Sequence, residues 1–127
     1  MYKTALVAKL IEDGALLLKK LEKRKFPISA ALWLFNEDSG TWKLVIATDV
    51  ANTSGPAGAF LQIQEAMAGL DLDLALDDVM VMSPQSRPFE DLRRRIEGVA
   101  KNMASLIKRQ FPKGLSFGDA YVYRWAD

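Results

Sequence analysis

Residues 28–49, ISAALWLFNEDSGTWKLVIATD, constrain the fold more than any other stretch of this 127-residue chain. Two apolar runs flank Glu37, Asp38, Ser39 and Gly40, and a glycine closing such a loop supplies the left-handed residue that a tight hairpin needs. With those four as the loop, Asn36 faces Thr41. Pairing then runs backwards through Phe35 with Trp42, Leu34 with Lys43, Trp33 with Leu44, Leu32 with Val45, Ala31 with Ile46 and Ala30 with Ala47. Because side chains alternate across a strand, Phe35, Trp42, Trp33, Leu44, Ala31 and Ile46 share one wholly apolar face. The opposite face, with Leu34, Lys43, Leu32, Val45, Ala30 and Ala47, is apolar except for the lysine. Such a hairpin is covered on both sides, by helices or by another subunit.

Around the hairpin the hydrophobic pattern changes period. Over residues 2–25, Leu6, Leu10, Leu17 and Leu21 recur at helical spacing beside Val7, Ile11 and Leu18, which predicts an amphipathic first helix. Gly14 weakens it midway. Lys23, Arg24 and Lys25 complement its C-terminal dipole, and Pro27 stops it. After the hairpin, Asn52, Thr53, Ser54 and Gly55 read as a polar loop, with Pro56 opening a second helix to about Leu70. Residues 70–76 alternate leucine with aspartate and alanine and fit a loop, a short edge strand or a helical turn. Residues 79–82, between Asp77, Asp78 and Ser83, Pro84, predict a buried third strand.

A long helix then opens at Pro88, Glu90 and Asp91, with Phe89, Leu92, Ile96, Val99, Met103, Leu106 and Ile107 in one stripe, and Pro112 and Gly114 end it. Residues 119–125 close the chain as a strand with Tyr121, Tyr123 and Trp125 on one face and Val122 and Arg124 on the other. The expected class is α+β in one domain over residues 1–127: an N-terminal helix, a β-hairpin, then α-β-α-β, forming a mixed four- to five-stranded sheet with helices packed against it.

Charge and composition narrow the chemistry. Seventeen Lys and Arg against sixteen Asp and Glu leave a net charge of +1, which provides no global field for nucleic acid or anionic lipid. The chain has no cysteine, hence no disulfide and no thiolate ligand, which fits a reducing compartment. It has no histidine either, which removes the usual general base near neutral pH and the commonest metal ligand. No apolar run approaches the roughly 20 residues of a membrane span, and residues 15–18 are too short and too closely flanked by charge for a signal peptide. The expectation is a cytoplasmic protein without cofactor, metal or membrane partner.

Several clusters invite a functional reading, each beside a simpler one. Asp49, Asn52, Thr53, Ser54 and Gly55 lie where a strand hands over to a helix, a natural seat for an anion; the simpler reading is a capped helix start. Lys19, Lys20, Lys23 and Arg24 share a sector of the first helix and could grip phosphates. A second basic set, Arg93, Arg94, Arg95, Lys101, Lys108 and Arg109, stands on the long helix. There Glu90 with Arg94, Asp91 with Arg95, Arg93 with Glu97 and Glu97 with Lys101 are spaced as ion pairs of a solvated face. Tyr121, Tyr123 and Trp125 could stack on bases or bury against a second copy of the chain, or could simply complete the core. Asp71, Asp73, Asp77 and Asp78 lack the glycine and glutamate of a calcium loop and read as charges flanking a buried strand.

The segments AALWLF, TWKLVIATD and SGPAGAF, with LIEDGALLLKKLE ahead of them, resemble a family of short prokaryotic α/β proteins across about the first half of the chain. No activity is established for that family, so the resemblance implies no site. The hairpin by itself is similar to those of GAF- and PAS-type sensor domains, but the long helix before a single last strand departs from their pattern. The leading expectation is a non-catalytic binding or protein-interaction module acting as a homodimer. The alternatives are a nucleic-acid accessory protein using the basic helix faces and a small-ligand or phosphate-binding enzyme centred on residues 49–55.

Overall fold

The computed structural model describes the backbone of residues 8–36, 38–99, 110–117 and 120–125, and the side chains of residues 8–36, 38–94 and 120–124. Helix α1 spans Ala8–Lys23. Strands β1, Ala30–Asn36, and β2, Thr41–Ala47, form the hairpin. A single turn, α2, over Val50–Thr53 leads into α3, Gly55–Ala68. Then come β3, Val79–Met82, α4, Arg87–Val99, β4, Gln110–Phe117, and β5, Ala120–Trp125. Among the described residues no helix is long and apolar enough to cross a membrane.

The hairpin pairs in the register read from its loop, from Asn36 opposite Thr41 to Ala30 opposite Ala47. Asn36 fixes the turn: its carboxamide oxygen accepts from the amides of Asp38 and Ser39 at 2.9 and 3.2 Å, and its carbonyl accepts from Gly40 at 2.8 Å. Gly40 has φ +69°, the left-handed geometry that glycine adopts without penalty. At the end of α1, Phe26 donates its amide to the Leu21 carbonyl and Lys25 donates to Glu22, both at 2.9 Å. Lys25 stands at φ +61°, so it occupies the left-handed position of a Schellman cap, with Phe26 and Leu21 buried beside it. The cap turns the chain towards β1 before Pro27 is reached.

Four strands make a mixed sheet in the order β3-β2-β1-β5, with β3 parallel to β2 and the other pairs antiparallel; the backbone of β4 lies antiparallel outside β5. Both hairpin faces are covered within one chain. Leu17, Leu18 and Leu21 of α1 and Ala59, Ile63 and Ala66 of α3 pack with Ala31, Trp33, Leu44 and Ile46 on one side. Phe89 and Leu92 of α4 pack with Ala30, Leu32, Val45, Ala47 and Val122 on the other. Trp33, Leu32, Leu44 and Ile46 are completely inaccessible to solvent, while Leu34, Trp42 and Lys43, nearer the turn, are partly open.

Three expectations change. First, Asn52 and Thr53 belong to the turn of α2 and not to an open loop, because the Val50 amide finds the Thr48 hydroxyl at 3.2 Å and starts the helix early. Second, Pro112 and Gly114 do not merely end a helix. They fall in β4, within the register shift between Gln110 and Leu115, on the outermost strand, where a proline without N–H breaks no inner ladder. Third, β5 does not alternate simply: a bulge places both Tyr123 and Arg124 opposite Ala31, between Leu32↔Val122 and Ala30↔Trp125. Arg124 therefore shares the α1 face and forms an ion pair with Glu22 there. Residues 2–7, Glu37, Met103, Leu106, Ile107, Lys101, Lys108 and Arg109 lie outside the described residues. So do the side chains of Arg95, Ile96, Glu97, Val99 and Trp125.

Candidate functional site

Strand β3 ends the sheet, with β2 as its neighbour and no partner on its other side among the described residues. The Met82 carbonyl accepts from the Thr48 amide at 3.0 Å, so Met82 faces β2. By the alternation of a parallel ladder, Met80 faces β2 as well, and the backbone groups of Val79 and Val81 point off the sheet. The strand reads Val-Met-Val-Met and carries no charge, proline or bulge. Sequence patterning placed it as a buried strand; only Val79 is buried, and Met80 is 39% exposed. An apolar run cannot distinguish an inner from an outer strand, because that depends on how many neighbours the tertiary fold supplies.

A groove lies on each side of this strand, apolar on the α3 side and mixed on the α4 side, where Asn36, Asp38 and Lys43 join the apolar residues. On the α3 side, Pro56, Ala57, Phe60, Leu61 and Gln64 with Val81 enclose about 510 Å³. On the α4 side, Leu34, Lys43, Val45 and Met80, with residues of the hairpin tip, enclose about 480 Å³. Lys43 is held at that wall by donating to the Asp77 carbonyl at 3.0 Å. Among the described residues the exposed large hydrophobic side chains are Leu16, Leu61 and Met80, and the last two flank the β3 edge.

The residues singled out from sequence sit elsewhere. Asp49 is exposed at the start of α2 and makes no side-chain cap. Asn52 donates to the Gln85 side chain, and Thr53 reaches back to the Val50 carbonyl at 3.4 Å. Ser54 joins α2 to α3 without capping by its side chain, and Gly55 takes φ +76°. These side chains converge on no common point; Pro56, the next residue, is the one that lines a groove. Of the basic set, Lys19 and Lys23 are exposed, Arg24 pairs with Glu65 of α3 at 3.4 Å, and Lys20 lies against Gly69. Glu90 and Arg94 form the ion pair their spacing predicts, at 3.6 Å on the surface. Tyr123 is 5% exposed inside the α1 side of the core, with Tyr121 packed edge-on to it at 5.5 Å. Trp125 pairs with Ala30 in the ladder.

The strongly perturbed ionisable groups are engaged in structure. Burial raises the Tyr123 phenol well above its ordinary range, against the opposing hydrogen bond from Trp33. Its hydroxyl accepts from the Trp33 indole at 2.9 Å and donates to the Ile11 carbonyl at 2.5 Å. Asp13, completely inaccessible, is the residue that sequence reasoning missed. Burial alone would raise its carboxyl, but the hydrogen bond from Lys9 at 2.5 Å and those from the Leu74 and Asp73 amides at 3.1 and 2.7 Å hold it below the usual carboxylate value. The only sequence signal was an acid on the apolar side of α1, facing the leucine-rich stretch 70–76 that no pattern assigned. Tyr123→Phe should lower stability by about 1–2 kcal/mol, since the buried Trp33 N–H loses its acceptor. Urea unfolding followed by tryptophan fluorescence measures this.

Compared with known proteins, the chain matches no protein-family model, no curated protein and no solved structure.

Proposed function

We propose that this protein is a non-catalytic interaction module that docks an extended polypeptide segment along the open edge of β3. The observation that carries the reading is the outward-facing backbone of Val79 and Val81, set between an apolar groove on the α3 side and a mixed one on the α4 side. A strand added to a sheet edge gains its affinity from main-chain hydrogen bonds and its selectivity from pockets for alternate side chains. Here the alternate side chains of an incoming strand fall in turn towards Phe60 and Leu61 on one face and towards Met80 on the other. Natural sheets protect unused edges by keeping them very short or with lysine, proline or a bulge; β3 is 4 residues long and carries none of the other three.

The test is amide hydrogen exchange during titration with extended peptides of alternating apolar and polar residues. Binding through the edge should slow exchange at Val79 and Val81 by about tenfold or more, the equivalent of about 1.4 kcal/mol. Peptides that bind without protecting those two amides, or that fail to bind a monomeric chain whose edge is free, reject the reading.

A further inference from the structure

We propose that the occupant of this edge is a second copy of the same chain, paired antiparallel through β3 with Met80 on the two-fold axis. The inference rests on the reading of β3 as a docking edge and adds the identity and register of the partner. The backbone geometry is self-complementary. Val79 and Val81 stand symmetrically about Met80, so an inverted copy centred there sets Val79 opposite Val81 twice, each couple exchanging both N–H···O bonds. A two-fold contact of this isologous kind closes on itself and leaves no further edge to propagate.

Charge selects the same orientation. Asp77 and Asp78 precede β3, whereas Ser83, Gln85 and the exposed Arg87 follow it. Antiparallel pairing about Met80 sets Asp77 opposite Ser83 and Asp78 opposite Met82, away from the aspartates of the other copy and towards the end from which Arg87 opens α4. Parallel pairing would bring the two acidic turns at Asp77 and Asp78 side by side, where like charges repel.

Surface requirements also favour a second copy over a short peptide. A strand of 4 residues provides little contact by itself, and a standard interface takes about 800 Å² from each partner. A second copy brings its own α3 over the seam on one face and its own Met80 on the other. Leu61 and Met80, 54% and 39% exposed in the single chain, are then covered together with both grooves.

Two measurements test the proposal. The natural chain contains no cysteine, so Met80→Cys carries a sole thiol. Residues directly opposite in a non-hydrogen-bonded antiparallel pair have Cα atoms about 4.5 Å apart, within the range a disulfide spans. Mild oxidation at micromolar concentration should convert Met80→Cys into a covalent species of twice 14.2 kDa, while Leu16→Cys, exposed on α1, stays single. Sedimentation of the unmodified chain should show the same doubled mass. Met80→Lys and, separately, Leu61→Glu should each weaken association about tenfold or more with an unchanged circular dichroism spectrum.

A monomeric natural chain, a dimer indifferent to both substitutions, or equal cross-linking of Leu16→Cys overturns the proposal. If the chain is monomeric yet peptides protect Val79 and Val81, the docking edge stands and the second copy falls; if neither occurs, both fall.

Discussion

Asp13→Ala is expected to lower the free energy of unfolding by about 2–3 kcal/mol, because the buried Leu74 amide and the part-buried Asp73 amide lose their acceptor at once and an unpaired buried donor costs about 1–3 kcal/mol. Those amides belong to Asp73 and Leu74, 60 and 61 residues along the chain, so the carboxylate clips α1 to the connection that leads into β3. Leu74 itself is 3% exposed and packs in the core, so water cannot readily replace the lost partner. Asp13→Asn keeps one oxygen and the shape but loses the charge, and its cost should fall between that of alanine and zero. Urea or guanidinium unfolding of the three proteins gives the comparison; an alanine variant as stable as the parent would refute the clip.

The same group sets an acid limb. Its carboxyl titrates lower in the folded chain than the ordinary 3.8, so folding is favoured by its ionisation. That contribution is complete above the unfolded value and drains as pH falls through the folded one. Stability of the parent and of Asp13→Ala should therefore converge on acidification. At the alkaline end Lys9, raised chiefly by its hydrogen bond to Asp13, contributes fully below 10.5 and loses its contribution as pH climbs through its folded value. A parent–variant gap that widens towards low pH would contradict the assignment.

Gly14→Val should cost about 3 kcal/mol, at the upper end of what added side-chain volume does in a packed core. A Cβ at this buried position would stand 2.5 Å from the Tyr123 hydroxyl and 3.0 Å from the Trp33 indole nitrogen. The tyrosine has little room to yield, since its hydroxyl is tied to both Trp33 and Ile11. Gly14→Ala makes the competition explicit. Helix propensity alone favours alanine by about 1 kcal/mol, whereas overpacking costs about 1–3 kcal/mol, so the net change should be destabilising. Combining Gly14→Ala with Tyr123→Phe removes the atom that clashes. The double variant should lose less than the sum of the single ones, and strict additivity in thermal or urea unfolding would exclude the close contact.

These positions mark where sequence reasoning reached its end. From pattern alone Gly14 is a weak point in a helix, and in the fold it is the gap that admits a hydroxyl from 112 residues away in the contact to Ile11. Tyr123 was legible as an aromatic on a last strand but not as the partner of Trp33, 90 residues earlier. The alternation expected for β5 fails at one residue, because the bulge opposite Ala31 depends on how β5 meets β1 and leaves no signature in either strand. The open side of β3 was hidden for a related reason. Val-Met-Val-Met reads identically in the middle of a sheet and at its end.

What the amino-acid sequence determined by itself is the α+β class, the alternation of helices and strands, and the hairpin down to each cross-strand pair. Those follow from turn chemistry and from side-chain periodicity, which act between residues close along the chain. Only the tertiary structure decided the strand order, the Asp13 clip, the Trp33–Tyr123–Ile11 contact and the exposure of one side of β3. Each of these depends on which distant segments become neighbours, and that is set by packing all the apolar faces at once and not by any local run of residues.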